Sequence, residues 1–499
     1  MRPVKIIFFS VMAGAARRIL VASLIVSDQA PSWAHLKERV LSTNTGQQLH
    51  EEALQRNIGL GPPHSQASLR LFDAQEEDVR VIFYRDNAAW CPYCQKVWLM
   101  LEEKRIPYRV KKVPLNAYGD KPSWFTRKVD GGKLPALELD GVLYKDSLSI
   151  LNLLAEVFHD QGPSMIPLAE DKLLSDYFQD LEKKLQSAWF SLTFYPVEGE
   201  ALEKARLNLL EHLQLTDEAL SVKSGPWFLG GDAPSIVDIH FITTIERLVP
   251  SVLFWKGMVV RGKFDNLDRW LEAMEARPYY LASKADYYNT VKIIPSQNGP
   301  GYSIGAARGV ADKICGLHGA WELPLSDFVE PLPHQHSLAG DEAARHEAAF
   351  ALTSNHREVV LFACRGAGVP GSPSFHAELA DPYAEPNEEF SQPVDVCLRH
   401  VVVALLDGVR VETPRMRQYL AHTSGDGALR PDWGAYEDEE GNVYYWNEIT
   451  GDSTWTPPTM QLDTCLAYLR DRIGVPRDMG PAAAIQLRYH LNWAISVIQ

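Results

Sequence analysis

Apolar runs and amphipathic stretches alternate through the first third of the chain. Val79-Arg-Val-Ile-Phe-Tyr84 reads as a buried strand, and Val97, Trp98 and Leu101 recur at helical spacing within Pro92 to Lys104. A second strand is predicted over Tyr108 to Val113, a short helix over Lys121 to Val129, and a third strand over Ala136 to Leu139. Asp140-Gly141 is a hairpin signal answered by Val142-Leu-Tyr144, and Asp146 to Phe158 is an amphipathic helix. After Gly162-Pro163 the strands stop. Helical periodicity then runs through Lys172 to Leu192, Gly199 to Leu220, Ser235 to Leu248 and Asn266 to Arg277, with Ser235-Ile-Val-Asp238 in the form of a capping box.

The flanks are less regular. Ser32 is a candidate cap for Trp33 to Leu41, and Gly59-Leu-Gly-Pro-Pro63 ends whatever precedes it. Beyond the central region, Glu342 to Cys364 and Val394 to Leu406 are predicted helices, while Gly366 to Pro393 reads as a linker or long loop. Gln461 to Ile473 and Pro481 to Ile498 are helical again. If Val394 to Leu406 packs on Leu462 to Ile473, whatever lies between them is an insertion in a helical extension.

Chemistry concentrates where the first strand feeds the first helix, at Trp90-Cys91-Pro-Tyr-Cys94. Cys91 falls at about the N-cap and Pro92 at the first helical position, where its missing N–H costs nothing. Unpaired N–H groups and the positive end of the helix dipole favour a thiolate at such a position. Cys91 is therefore the candidate nucleophile. Cys94, one turn on and less exposed, is a candidate resolving thiol. A zinc half-site and a static disulfide are the other uses of Cys-x-x-Cys. Cys315-Gly-Leu-His318 lies over 200 residues away without zinc-ribbon spacing, and an intracellular setting disfavours a structural disulfide. With a cysteine after its first strand, the order β-α-β-α-β-β-α is thioredoxin-like.

Composition narrows the partners. A length of 499 residues predicts about two to four domains, and 46% hydrophobic with 23% charged residues are globular values. A net charge of −15 offers no whole-chain field for nucleic acid or anionic membrane. The six cysteines are too scattered for a disulfide framework, and Cys364, Cys397 and Cys465 read as buried inert thiols. Residues 1–27 hold Arg2, Lys5, Arg17 and Arg18 and no acid, without a run long enough to span a membrane. An organelle transit peptide is the expectation, with a secretory signal next. His334 and His336 lack ligand partners at metal spacing and read as loop histidines.

Cys91-Pro-Tyr-Cys94, the Leu134-Pro135 turn, Asp146-Ser147 and Gly231-Asp-Ala-Pro-Ser-Ile-Val-Asp238 together resemble a glutathione transferase over about Val79 to Tyr288. The cysteine makes it similar to the omega, lambda and dehydroascorbate-reductase groups, and Trp90-Cys-Pro-Tyr-Cys-Gln-Lys-Val-Trp98 with a long C-terminal extension looks most like the iota class of photosynthetic organisms. The resemblance implies glutathione as co-substrate, no metal, and a homodimer. It also implies that Cys91 forms a mixed disulfide with glutathione, Lys121 contacts it, and Leu134, before a cis Pro135, pairs with its cysteinyl part. Asp146 and Ser147 match the pair that binds the γ-glutamyl end, where a helix N-terminus suits a carboxylate. The family more often has Glu or Gln where Asp146 stands. For Lys121 the plain alternative is a solvated helix start. The resemblance turns the leader toward a chloroplast, with a cytoplasmic location as alternative.

A second module follows. Trp433 and Trp455 are 22 residues apart, around Gly441-Asn-Val-Tyr-Tyr-Trp-Asn447, with Pro458 after them. Three short aromatic strands with Gly turns predict a small antiparallel sheet. Trp433 to Pro458 resembles a WW domain, in which Trp433, Tyr445 and Pro458 would form the miniature core. Tyr444 and Trp455 would clamp proline with Ser453 beside them, and Trp446 adds aromatic surface. Glu448 stands where Pro-Pro-x-Tyr binders carry His, which leans toward Pro-Leu-Pro-like runs. A sheet that merely packs on its neighbours is the alternative.

The plan is a transit peptide over 1–30, an extension over 31–78, a thioredoxin-like glutathione-binding domain over 79–160 and an all-helical domain over 161–290. A helical and loop extension over 291–427, the WW domain over 430–459 and helices over 460–499 complete it. The expected activity is glutathione-dependent thiol transfer on a small electrophile or mixed disulfide, covering deglutathionylation and dehydroascorbate or glutathionyl-quinone reduction. The alternative is a non-catalytic scaffold working through the WW module.

Overall fold

The computed structural model describes residues 30–325, 329–331, 341–371, 377–423, 433–437, 443–447, 451, 453–454 and 461–499. The leader, His334, His336, Glu448, Trp455 and Pro458 lie outside the described residues, as do the side chains of Trp433 and Tyr445.

Ser32 does cap α1 (Trp33–Leu41), its hydroxyl accepting from the His35 N–H, and Thr43 caps α2 (Asn44–Asn57) through the Gly46 N–H. There follow β1 (Leu69–Arg70), β2 (Val81–Asp86), α3 (Pro92–Glu103), β3 (Tyr108–Val113), α4 (Ser123–Lys128), β4 (Ala136–Leu139), β5 (Val142–Lys145) and α5 (Ser147–Val157). The sheet order is β1-β3-β2-β4-β5, with β2 and β3 parallel and the other neighbours antiparallel. From β2 to α5 this is the thioredoxin-like order. β1 is an edge strand supplied by the segment read as an extension, and two residues are too short to display alternation.

Side-chain alternation along β2 sorts the two faces. Val81 and Phe83 join Trp98, Leu101 and Leu151 in the main core, while Tyr84 packs with Phe125, Val129 and Ala136 on the other face. The helical half continues that main core through α6 (Lys172–Thr193), α7 (Gly199–Ala219), α8 (Ile236–Lys256), α9 (Asp265–Glu275), α10 (Pro278–Leu281), α11 (Tyr287–Asn298) and α12 (Arg308–Ile314). The Ser235/Asp238 capping box starts α8, and Gly257, at φ 62°, ends it. This helix runs past the predicted end at Leu248 because buried Val252 and Trp255 offset the hydrogen bond that Pro250 removes.

A second core is formed by α13 (Asp341–Ser354), α14 (His356–Cys364), α15 (Ser391–Asp407), α16 (Val409–Thr423), α17 (Leu462–Arg470) and α18 (Pro481–Ile498), joined by α1. Leu36, Leu352, Val402, Cys465 and Leu487 all lie in it. The single helix expected over Glu342 to Cys364 breaks at Asn355. The segment Gly366 to Pro393 is not a free linker: Val369 and Glu385 pair as a β-bridge, and Ala377, Leu379 and Phe390 are buried. The helix α16, which periodicity does not announce, is polar and contains Pro414, yet Glu412 on it is fully buried against His400 of α15. Between α16 and α17 stand β6 (Trp433–Glu437), β7 (Val443–Asn447) and β8 (Ser453–Thr454), a three-stranded antiparallel sheet. No helix among the described residues is long and apolar enough to cross a membrane.

Candidate functional site

Strand register brings the sequence-predicted residues to one end of the sheet. Tyr84 pairs with Ala136 across antiparallel β2 and β4, so Leu134-Pro135 leaves the sheet beside Arg85 and Asp86, where the chain turns into the cysteine motif. Ala136 pairs in turn with Lys145, which sets Asp146 and Ser147 beside the same turn. The Leu134-Pro135 peptide is cis.

Cys91 is the N-cap of α3 and Pro92 its first residue. Both sulfurs are buried, Cys91 at 5% and Cys94 at 2% exposure, so the expected difference between them is small. The Cys94 thiol hydrogen-bonds to Cys91, and burial together with that bond pushes its pKa well above the usual thiol value. Asp86 closes the turn: one carboxylate oxygen accepts the Trp90 N–H at 2.6 Å.

Elements distant in sequence hold the motif. Arg247, on α8, donates to Gln95 Oε1 at 2.9 Å and to the Trp90 carbonyl at 3.1 Å. Gln95 donates to Glu246 Oε2 at 2.8 Å. The turn after α17 reaches the same place, where the Trp90 indole N–H donates to the Val475 carbonyl at 2.9 Å and Arg477 stands 5.6 Å from the Trp90 ring centre. That turn is held by Asn289, which accepts from the Val475 N–H at 2.7 Å and donates to the Ile473 carbonyl at 3.0 Å. None of these partners carries a local signal.

Lys121 is not a solvated helix start. It precedes α4, donates to the Gly132 carbonyl, and lines a cavity of about 470 Å³ with Asn116, Gly119, Asp120 and Thr126. Burial pulls its pKa down while Cys91 and Cys94 pull it up, so its ammonium lies within electrostatic reach of both sulfurs. Asp146, at φ 70°, is the N-cap of α5, and one carboxylate oxygen accepts from both the Ser149 N–H and hydroxyl at 3.0 Å. Its other oxygen faces outward from an exposed residue, and Ser147 is buried at the start of α5. Asp86, Cys91 and Cys94 are also the one group of three metal-ligating atoms within 4.8 Å among the described residues. Three donors fall short of a structural zinc site.

In the small sheet, Tyr436 pairs with Tyr444 and Trp446 with Ser453, which puts these residues on one face. The two tyrosine rings stack at 5.8 Å, and Trp446 is 41% exposed. Trp455 lies outside the described residues.

Residues 90–157 match the glutathione S-transferase N-terminal domain, residues 178–278 its C-terminal domain, and residues 429–458 the WW domain. The chain is 29% identical over 198 residues to glutathione S-transferase L1 of Arabidopsis thaliana, covering 39% of this chain and 79% of that protein. It is 28% identical over 195 residues to glutathione S-transferase DHAR2 of Arabidopsis thaliana, covering 39% and 84%. Among solved structures, glutathione transferase Omega 3C from Trametes versicolor aligns at 24% identity over 42% of this chain and 87% of that one, with a TM-score of 0.36. The chain thus carries the N- and C-terminal domains of a Cys-type glutathione S-transferase, a glutathione-dependent enzyme, together with a WW domain.

Proposed function

We propose that the protein is a thiol transferase in which Cys91 attacks the sulfur of a glutathione mixed disulfide, or of an electrophile bonded to glutathione's sulfur. The observation that supports this most is the convergence of the Cys91 N-cap, the cis Leu134-Pro135 turn and Ser147 at one end of the sheet. Glutathione would lie across that end, its cysteinyl backbone pairing with Leu134 and its γ-glutamyl carboxylate at the N-terminus of α5. Lys121 would meet it from the cavity side.

In the first step the Cys91 thiolate forms an S–S bond to the glutathione sulfur, and the substrate leaves as a thiolate that takes a proton. A second glutathione thiolate then attacks the adduct, forms oxidised glutathione and restores Cys91. Orientation of the sulfurs supplies the rate. Deglutathionylation, dehydroascorbate reduction and removal of glutathione from quinones share this adduct. Simple conjugation is less well supported, because a thiol forms a disulfide with glutathione where a hydroxyl would only activate it.

The WW module would bring a proline-rich partner to the enzyme through Tyr444, Trp446, Ser453 and Trp455. Delivery to a chloroplast is proposed from the basic, acid-free stretch 1–27, and a homodimer from the resemblance. The test is glutathione-dependent reduction of a small glutathione mixed disulfide: turnover by the wild-type chain and its loss in Cys91→Ser support the reading. Undiminished turnover in Cys91→Ser overturns it.

A further inference from the structure

The carboxylate of Asp86 has a polar atom to spare. Asp86 is 0% exposed, and while Oδ2 accepts the Trp90 N–H, Oδ1 has no hydrogen-bond partner. An unsatisfied buried carboxylate oxygen is costly to keep. This one lies within a cluster whose carboxylate oxygen and two cysteine sulfurs are all within 4.8 Å of one another. The main-chain N–H of Asp86 is directed at the Cys94 sulfur as well.

Cys94 needs such a neighbour. Its thiol is buried and bonded to Cys91, and nothing about its surroundings makes it a ready thiolate. Yet a resolving cysteine must lose its proton before it can attack. With 2% exposure it has little contact with bulk water to accept that proton.

We propose that Asp86 accepts the proton of the Cys94 thiol when Cys94 resolves a glutathione adduct on Cys91. The proposal rests on the Cys91 reading above. In the step, the proton passes from Cys94 Sγ to the Asp86 carboxylate, and the Cys94 thiolate attacks Cys91 Sγ. The bond between Cys91 and the glutathione sulfur breaks, glutathione leaves as a thiolate, and a Cys91–Cys94 disulfide forms. Two glutathione molecules then reduce that disulfide and leave as oxidised glutathione. The separations tighten to hydrogen-bond range, directly or through one water, as the adduct moves Cys91. Other charged or titratable groups around the site are Arg85 beside it on β2, Tyr118 from the loop after β3, Lys121 ahead of α4, and Arg477 over Trp90 from the C-terminal turn.

The test follows the full chain through a single turnover. Reduced protein is mixed with oxidised glutathione, quenched in acid, and its intact mass read over time at pH 6 to 9 for wild type, Asp86→Asn, Cys94→Ser and the double variant. Asn keeps an oxygen for the Trp90 N–H but is no base. Asp86→Asn should gain the adduct at the wild-type rate and lose it to the disulfide at least ~10-fold more slowly at pH 7, a gap that narrows as pH rises. In the Cys94→Ser background it should change nothing. Equal resolution rates at every pH overturn the proposal, as does an equal slowing of both steps, which marks a structural role. A wild-type chain that forms no adduct overturns the Cys91 reading and the proposal with it. The wild type carries a readout that needs no variant: an internal acceptor makes resolution independent of buffer concentration, and proportionality to buffer base contradicts it.

Discussion

Trp90 and Val475 are joined by a hydrogen bond of 2.9 Å across 385 residues of sequence, tying the residue before the candidate nucleophile to the C-terminal extension. Trp90 is 2% exposed and Val475 fully buried. The extension is thus part of the wall of the site, not an appendage. Trp90→Phe keeps most of the ring and leaves the Val475 carbonyl unpaired, a loss of about 1–3 kcal/mol. A lowered denaturant midpoint together with faster alkylation of Cys91 is expected.

Arg247 is the corresponding tie from the helical half. Without its bonds to Gln95 and the Trp90 carbonyl, the start of α3 loses its fixed orientation. Arg247→Met should lower kcat by about 10²-fold, the scale of a misplaced reacting group, with a much smaller change in KM for glutathione. Steady-state kinetics at varied glutathione separates the two constants.

Acid should loosen the seam between the two halves. His240, on α8, lies 2.9 Å from the ammonium of Lys96 on α3. Burial, then Lys96, lowers its pKa to about 3. Its folded value is below the unfolded value near 6.5, so the unfolded chain binds the extra proton between these limits. The stability is fully present above about pH 6.5 and is lost as pH falls toward 3, at up to about 1.4 kcal/mol per pH unit from this group. His240→Gln should flatten that slope, read from urea midpoints at pH 7 and pH 5.

These ties explain what the sequence did and did not reveal. The order from β2 to α5 was legible because Val81, Phe83, Val97, Trp98 and Leu101 repeat at the strand and helix periods, and the Cys91, Leu134-Pro135 and Ser147 positions stand in local motifs. Asp86, Arg247 and Val475 were not, because each matters through a partner that only the fold brings near. The one signal for Asp86 was an acid ending an otherwise apolar strand five residues before a cysteine. The linker reading of Gly366 to Pro393 failed for a related reason: its Gly and Pro content marks irregular backbone, whereas burial of Leu379 and Phe390 depends on helices far along the chain.

The WW face should be separable from the chemistry. Trp446→Ala removes a large exposed ring from the face that Tyr444 and Ser453 share. A loss of at least ~10-fold in affinity for a Pro-Leu-Pro-containing peptide is expected, with turnover of a small mixed disulfide unchanged. Titration of tryptophan fluorescence reads the first and the coupled assay the second.

The central claim is that Cys91 carries glutathione. Purified chain lacking residues 1–29 is incubated with oxidised glutathione and its intact mass measured, for wild type, Cys91→Ser and Cys94→Ser. A glutathione-sized adduct that persists in Cys94→Ser and vanishes in Cys91→Ser is the predicted result. An adduct of equal yield in Cys91→Ser, or none in Cys94→Ser, contradicts it.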